Sequence, residues 1–391
     1  MRIFSGSHGG TRTGSGRRRW TRRLFTAALT SLLASTGSLA HAEGVWVTAP
    51  VMQQARSGHG TTTAPCPEAV PGLGQGSCVY VIGGHPLEAA LSAHAYSPET
   101  KTWATLPSMT VGRSGLAAVT APCPRSVAEL RGPCVYAVGG TNGGGSLDRV
   151  EAYSPATNKW VTLPSMSTGR GFLGGAAAPC PVGVASLRGT CVYVVGGTTI
   201  SADATKTSNT VEAYSPVTNS WATVASLPTA RRSLGVASAS CPRGKGGGSP
   251  LCVYAIGGSD TGEPLGAVES YNPLSGKWSA LAAVPTARRG MGVTSGPCPE
   301  DAGSRRGSCV YGIGGSPTAK TSAVGTVEVF APGSGTWKAL PSLPQARFGF
   351  GATAAPCSDE LSRTCLYAPG GALGTAPSTE HTAFDVVGPA A

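Results

Sequence analysis

Short stretches of alternating apolar and polar residues recur along this chain, separated by turn residues, and no segment carries the three-to-four spacing of an amphipathic helix. CVYVIGG, CVYAVGG and CVYAIGG each end in a glycine pair, and VEAYSP ends in Ser-Pro. Over one unit the pattern predicts four strands, at about 114–121, 134–139, 149–154 and 159–163, with breakers between them. The unit repeats. Trp46, Trp103, Trp160, Trp221, Trp278 and Trp337 follow one another at intervals of 57, 57, 61, 57 and 59 residues. Ten residues after each stands an arginine: Arg56, Arg113, Arg170, Arg231, Arg288 and Arg347. Glycine pairs at 83/84, 139/140, 196/197, 257/258, 314/315 and 370/371 keep the same beat, as do Tyr96, Tyr153, Tyr214, Tyr271, Phe330 and Phe384 at the ends of the third runs. Four strands per period, six times over, predict an all-β propeller.

A strand ending in Gly-Gly, an aromatic before a turn with proline, then Trp and a connection ending in Arg resemble the Kelch repeat over roughly residues 45–387. The resemblance implies a six-bladed β-propeller of four-stranded blades. Trp46 and Arg56 open the series without the three strands that should precede them, and the chain ends after a third strand around 381–387. The N-terminal strand is therefore expected to complete the last blade, closing the ring and hiding its edges. The first strands, such as GLAAVTA, GFLGGAAA and SLGVASAS, are made of small residues. In a propeller that strand lies nearest the axis, where bulky side chains from six sheets would collide. This accounts for the 57 glycines. The tryptophans are read as packing between blades rather than as platforms for sugars.

Twelve cysteines fall in pairs at the end of strand 1 and the start of strand 2 of each unit: Cys66/Cys78, Cys123/Cys134, Cys180/Cys191, Cys241/Cys252, Cys298/Cys309 and Cys357/Cys365. Partners flanking one hairpin loop face each other, so six disulfides within blades are expected. This departs from the short turn common in Kelch repeats. Zinc would need closer cysteines or partner histidines.

The formal charge of +11 is mostly local. Residues 1–42 hold seven arginines and no acid; the remainder carries 23 Lys+Arg against 19 Asp+Glu. Arg17, Arg18, Arg19, Arg22 and Arg23, an apolar stretch from Leu24 to Ala40, and Ala40-His41-Ala42 form the plan of a signal peptide. Thr21-Arg22-Arg23-Leu24-Phe25-Thr26 resembles a twin-arginine export motif. The chain thus divides into a signal peptide, 1–42, and a propeller, 43–391, exported to the periplasm or beyond the cell. No basic stripe for nucleic acid and no membrane span remain in the mature part.

No catalytic motif, metal-ligand set or cofactor motif stands out, so no cofactor is expected. Galactose oxidase also has Kelch-type blades, but its copper site needs histidines and a cysteine left over for a thioether, and here every cysteine has a partner. His94 stands where other units place Glu151, Glu212, Glu269 and Glu328, and reads as a surface or strand-edge polar residue. In Kelch propellers the strand 4 to strand 1 connections, which carry the arginines, share a face with the strand 2 to strand 3 loops. Those loops are variable here: HPLEAALS, TNGGGSLD, TTISADATKTSNT. The resemblance implies that arginines at this mouth meet carboxylates of a ligand, while strict repetition implies that most of them bond backbone carbonyls instead. Arg232 and Arg289 double the charge in two units and are expected to be the better exposed. The expectation is a monomeric, non-enzymatic binding or scaffold propeller for an extracytoplasmic protein, peptide or glycan. Its candidate binding residues are Arg56, Arg113, Arg170, Arg231, Arg232, Arg288, Arg289 and Arg347. The alternative is a sugar mutarotase of the sialic-acid type working in an arginine-lined central pocket.

Overall fold

The computed structural model describes residues 44–386, apart from 203, 243–250, 301, 303–306 and 320. The export signal expected over 1–42 lies outside them. Among the described residues, six antiparallel four-stranded sheets follow one another as blades 1 to 6. Blade 1 consists of Gly60–Pro65, Ser77–Ile82, Ala93–Ser97 and Thr102–Leu106, paired in that order. Blade 6 consists of Thr353–Pro356, Thr364–Pro369 and His381–Asp385, completed on its outer side by Trp46–Thr48. The register Trp46↔Phe384, Val47↔Ala383, Thr48↔Thr382 closes the ring as the sequence predicts.

The first strands crowd the axis because their residues permit it. A Cβ built on Gly235 would lie 1.9 Å from Val293 Cγ2 of the next blade, so even alanine is excluded there. In blade 2 this strand begins at Ala117, three residues later than the pattern at 114 suggests. Gly115 is taken up by a left-handed turn, φ 62°, and its N–H donates to Gly58 O. The same bond recurs in every blade. Phe172 donates to Gly115, Ser233 to Phe172, Gly290 to Ser233, Gly349 to Gly290 and Gly58 to Gly349, all at 2.6–2.8 Å. Six amides thus form a closed circle around the axis, running in one direction. Glycine occupies four of the six positive-φ positions; Phe172 and Ser233 adopt the same turn at φ 52° and 51°.

Packing between blades follows the tyrosine-tryptophan repeat. Tyr96, Tyr153, Tyr214, Tyr271, Phe330 and Phe384 are buried, and each stacks at a tilt on the Trp of its own outer strand, centroids 5.1–5.4 Å apart. Each indole N–H then reaches a carbonyl just past the outer strand of the preceding blade. Trp103 donates to Pro50 O, Trp160 to Pro107 O and Trp221 to Pro164 O, at 2.7–2.8 Å. The tryptophans are struts between blades.

All six expected cysteine pairs are bonded within their own blades: Cys66–Cys78, Cys123–Cys134, Cys180–Cys191, Cys241–Cys252, Cys298–Cys309 and Cys357–Cys365. Their Cα–Cα separations are 4.8–4.9 Å and their sequence separations 8–12 residues. The second partner of each pair lies deeper than a loop staple suggests. Cys78, Cys134, Cys191, Cys252 and Cys309 each occupy the second position of a second strand and are completely or almost completely buried, as core residues. They are core positions of the second strands. Closing a loop of that size restricts the unfolded chain by roughly 2–3 kcal/mol. The variant Cys123→Ala/Cys134→Ala should therefore lose about that much in urea denaturation while keeping the propeller's circular dichroism. An unchanged midpoint would show that the staple contributes nothing.

Candidate binding face

The connections that carry the repeat arginines lie beside the strand 2 to strand 3 loops. Isolated bridges join Ser57 to His85, Ser114 to Thr141, Gly171 to Thr198, Arg232 to Ser259, Arg289 to Ser316 and Phe348 to Ala372. The two sets of loops therefore form one face. The disulfides take no part in it, because Cys78, Cys134, Cys191, Cys252, Cys309 and Cys365 stand at the start of the second strands, whose far ends carry these loops.

The six repeat arginines do not open onto that face. Arg56, Arg113, Arg170, Arg231, Arg288 and Arg347 are all 0% exposed, which corrects the expectation that they ring its mouth. Each enters the blade that follows its connection. Arg113 donates to Gly139 O at 3.2 Å, Arg149 O at 2.9 Å and the Glu151 carboxylate at 2.5 Å. Arg170 donates to Gly196 O, Thr210 O and Glu212 at 2.7–2.8 Å. Arg231 pairs with Glu269, and Arg288 with Glu328 at 2.5 Å. A guanidinium taken out of water requires such a partner. Burial lowers the pKa of these four arginines, and the paired glutamate opposes the shift.

Blades 1 and 6 differ. Arg56 meets His94 Nδ1 at 2.8 Å, Gln54 Oε1 at 3.1 Å and Ser92 Oγ at 3.0 Å. Arg347 meets Thr382 Oγ1 at 2.9 Å and the carbonyls of Ala368, Gly370 and Glu380. With no carboxylate in contact, burial brings both guanidiniums down to about 10. His94 is thus a buried acceptor rather than a surface residue, held at about 4 by burial and by Arg56.

Among the described residues the axial cavity carries no charged lining either. Its cavity of about 170 Å³ is lined by first-strand residues such as Thr61, Ala118, Thr120, Gly175, Val236 and Ser295, with no ionisable side chain in its wall. The arginine-lined central pocket required for a mutarotase is absent from the described residues. A carboxylate to move the proton is missing there as well.

Arg232 and Arg289, each following a repeat arginine, behave differently from their buried neighbours. Both are half-buried. Arg289 is held by Thr318 O and Ala319 O, and its pKa is lowered by burial and then by Arg232 nearby. Arg232 lines a cleft of about 470 Å³ with Thr205, Lys206, Thr207, Asp260 and Thr261. Phe172, in the axial turn, is 36% exposed, and Phe348 is partly buried. Phe348 follows Arg347 as Arg232 and Arg289 follow theirs, whereas Phe172 stands two residues after Arg170. Across the face, the blade 1 loop exposes Leu87 and Leu91. The phenylalanines were missed from sequence, although the dipeptide after each repeat arginine (SG, SG, GF, RS, RG, FG) marks where the units cease to match.

The Kelch motif matches residues 122–167, 180–228 and 250–285, the hairpins and outer strands of blades 2, 3 and 4. Three of the six blades thus match the Kelch motif. Among curated proteins the propeller is similar to Kelch-like protein 23 of Pongo abelii, 25% identical over 276 residues, which is 69% of this chain and 41% of that protein. Kelch-like protein 35 of Mus musculus is 27% identical over 271 residues, 68% of this chain and 38% of that protein. Kelch-like ECH-associated protein 1A of Danio rerio is 36% identical over 115 residues, 29% and 16% of the two chains. The chain spans about two fifths of the length of the first two relatives.

Proposed function

We propose that this Kelch-repeat propeller is an exported, non-enzymatic scaffold that holds a protein or peptide partner at the rim of the face described above. The observation that carries the reading is a division of roles among the arginines. Six are consumed inside the blades, whereas Arg232, which lines a cleft with Lys206 and Asp260, and Arg289, held by Thr318 O and Ala319 O, stand half-buried at the surface. A planar guanidinium at the surface suits a carboxylate of a partner. Kelch-like relatives support a protein partner, one of them being named for its association with ECH. The export signal of residues 1–42 and the six disulfides support an oxidising compartment outside the cytoplasm.

Affinity capture from the native envelope and medium, followed by peptide and glycan arrays, tests the binding reading. The wild-type propeller should select peptides, and Arg232→Ala/Arg289→Ala should weaken binding at least about tenfold, or ~1.4 kcal/mol. Selection of glycans alone would replace the protein partner; binding that ignores both arginines would move the site elsewhere. Export has its own test. Arg22→Lys/Arg23→Lys should leave the precursor in the cytoplasm with reduced cysteines, and export at the normal rate would exclude the twin-arginine route.

A further inference from the structure

The ring is closed where the short strand Trp46–Thr48 pairs with His381–Asp385, and that place is built unlike the rest. In blades 2 to 5 the buried arginine has a glutamate; in blades 1 and 6, which meet at the closure, His94 and Thr382 stand instead. Three buried histidines gather at this same seam. His59 lies within the field of Arg56 and Arg347, with Nε2 on Pro369 O at 3.0 Å. His381 has Nδ1 3.2 Å from Pro50 O, packs against the rings of Tyr96, Trp103 and Tyr367, and lies within the field of Arg347. His94 faces Arg56. His59 Nδ1 and His381 Nε2 are buried without a hydrogen-bond partner. Acids also stand at the seam: Glu380 acts on Arg347 without pairing to it, Asp359 acts on Tyr367, whose ring packs on His381, and Asp385, at the other end of the strand from His381, pairs with Arg363.

Three neutral imidazoles therefore sit beside two guanidiniums that, among the described residues, have no carboxylate in hydrogen-bond contact, Glu380 acting on Arg347 only from a distance. His94 can accept from Arg56 only while its Nδ1 is unprotonated. A proton on any of the three adds a buried cation within the field of an arginine, and among the described residues the acceptors that meet these rings are the carbonyls of Pro369 and Pro50, not a carboxylate.

We propose that the seam between blades 6 and 1 is an acid-released latch: protonation of His59, His94 and His381 frees the closing strand while blades 2 to 5 stay folded. The sign follows from linkage. His59 and His381 are held at about 3 and His94 at about 4, by burial first and then by the neighbouring arginines; the backbone acceptors at Pro369 and Pro50 oppose the first two shifts only in part. A released histidine titrates near 6.5. The open form therefore binds more protons at every pH below about 6.5, and opening becomes progressively more favourable down to the folded-state values. The glutamates of blades 2 to 5 have no imidazole to charge, so their blades outlast the seam.

Hydrogen exchange followed by mass spectrometry on the whole protein, between pH 7 and pH 4, tests this. Segments 44–59 and 380–386 should lose protection first, by more than tenfold while blades 3 and 4 keep theirs. His94→Glu, which gives Arg56 the carboxylate found in four other blades, should move the onset of seam opening to lower pH. His94→Gln, which keeps an acceptor and removes the titration, should do the same if the glutamate variant folds poorly. Simultaneous loss in all six blades, first loss in blades 2 to 5, or an onset that neither variant moves would overturn the latch.

Discussion

Exchange of Arg170 for methionine should destabilise the propeller by about 3–5 kcal/mol, because it strands a buried charge. Arg170 is fully buried and donates to Gly196 O, Thr210 O and the Glu212 carboxylate. Without it, Glu212 keeps only the N–H and hydroxyl of Ser167, and two carbonyls lose their donor. The double variant Arg170→Met/Glu212→Leu should recover much of the loss, since replacing both partners of a buried pair by apolar groups removes the uncompensated charge. Urea denaturation of the three variants checks this. A loss below about 1 kcal/mol in Arg170→Met, or strictly additive effects, would mean that the repeated pair is not a support of the blade.

Truncation of Trp46 to alanine should cost about 3–5 kcal/mol, in the range for large buried aromatics, and should exceed the cost of Trp337→Ala. The two occupy equivalent places on outer strands, and each donates its indole N–H to the blade before, Trp46 to Pro341 O and Trp337 to Ala282 O. Trp46 is 8% exposed, whereas Trp337 is only partly buried. Trp337 also belongs to a strand joined to its neighbour through a tight turn within one chain segment, Val327–Ala331 to Thr336–Leu340. Trp46 anchors three residues that reach blade 6 from the other end of the chain, so loss of its ring detaches the closure itself. Thermal melting of both variants decides the matter; equal losses would show that the closing strand is held no differently from the others.

The ring was legible because its causes are side-chain identities repeated in phase. Small residues in strand 1, Gly-Gly after strand 2, the tyrosine and tryptophan struts and the cysteine pairs each state a geometric demand, and six copies exclude coincidence. The cysteine pairing was read correctly, but the depth of Cys78, Cys134, Cys191, Cys252 and Cys309 was not, because it depends on the neighbouring blade that covers the second strand. The fate of the repeat arginines was less legible. A charged residue ten positions after Trp, beyond a proline turn, reads as a loop residue near solvent, and burial is a property of what surrounds it. The needed signal was present in Glu151, Glu212, Glu269 and Glu328, which keep the same beat with opposite charge. Two periodic charges of opposite sign in one repeat imply a pair, and the units holding His94 and Thr382 imply that two arginines lack one. The circle of amides at the axis could not be read at all, because backbone groups carry no residue identity and Phe172 and Ser233 adopt the turn as glycine does. The rim was legible only in part. Arg232 and Arg289 announce themselves as extra charges, but that they come out half-buried while the preceding arginines are wholly buried depends on how the neighbouring blade covers them.

The most direct test sets the two classes of arginine side by side, measuring melting temperature and partner capture on the same preparations of wild type, Arg170→Met and Arg232→Ala/Arg289→Ala. The rim variant should melt with the wild type and lose capture at least about tenfold, while Arg170→Met should melt lower by several degrees and keep its capture wherever it remains folded. A rim variant that binds normally, together with a folded Arg170→Met that does not bind, would contradict the assignment of support to the buried arginines and recognition to the rim.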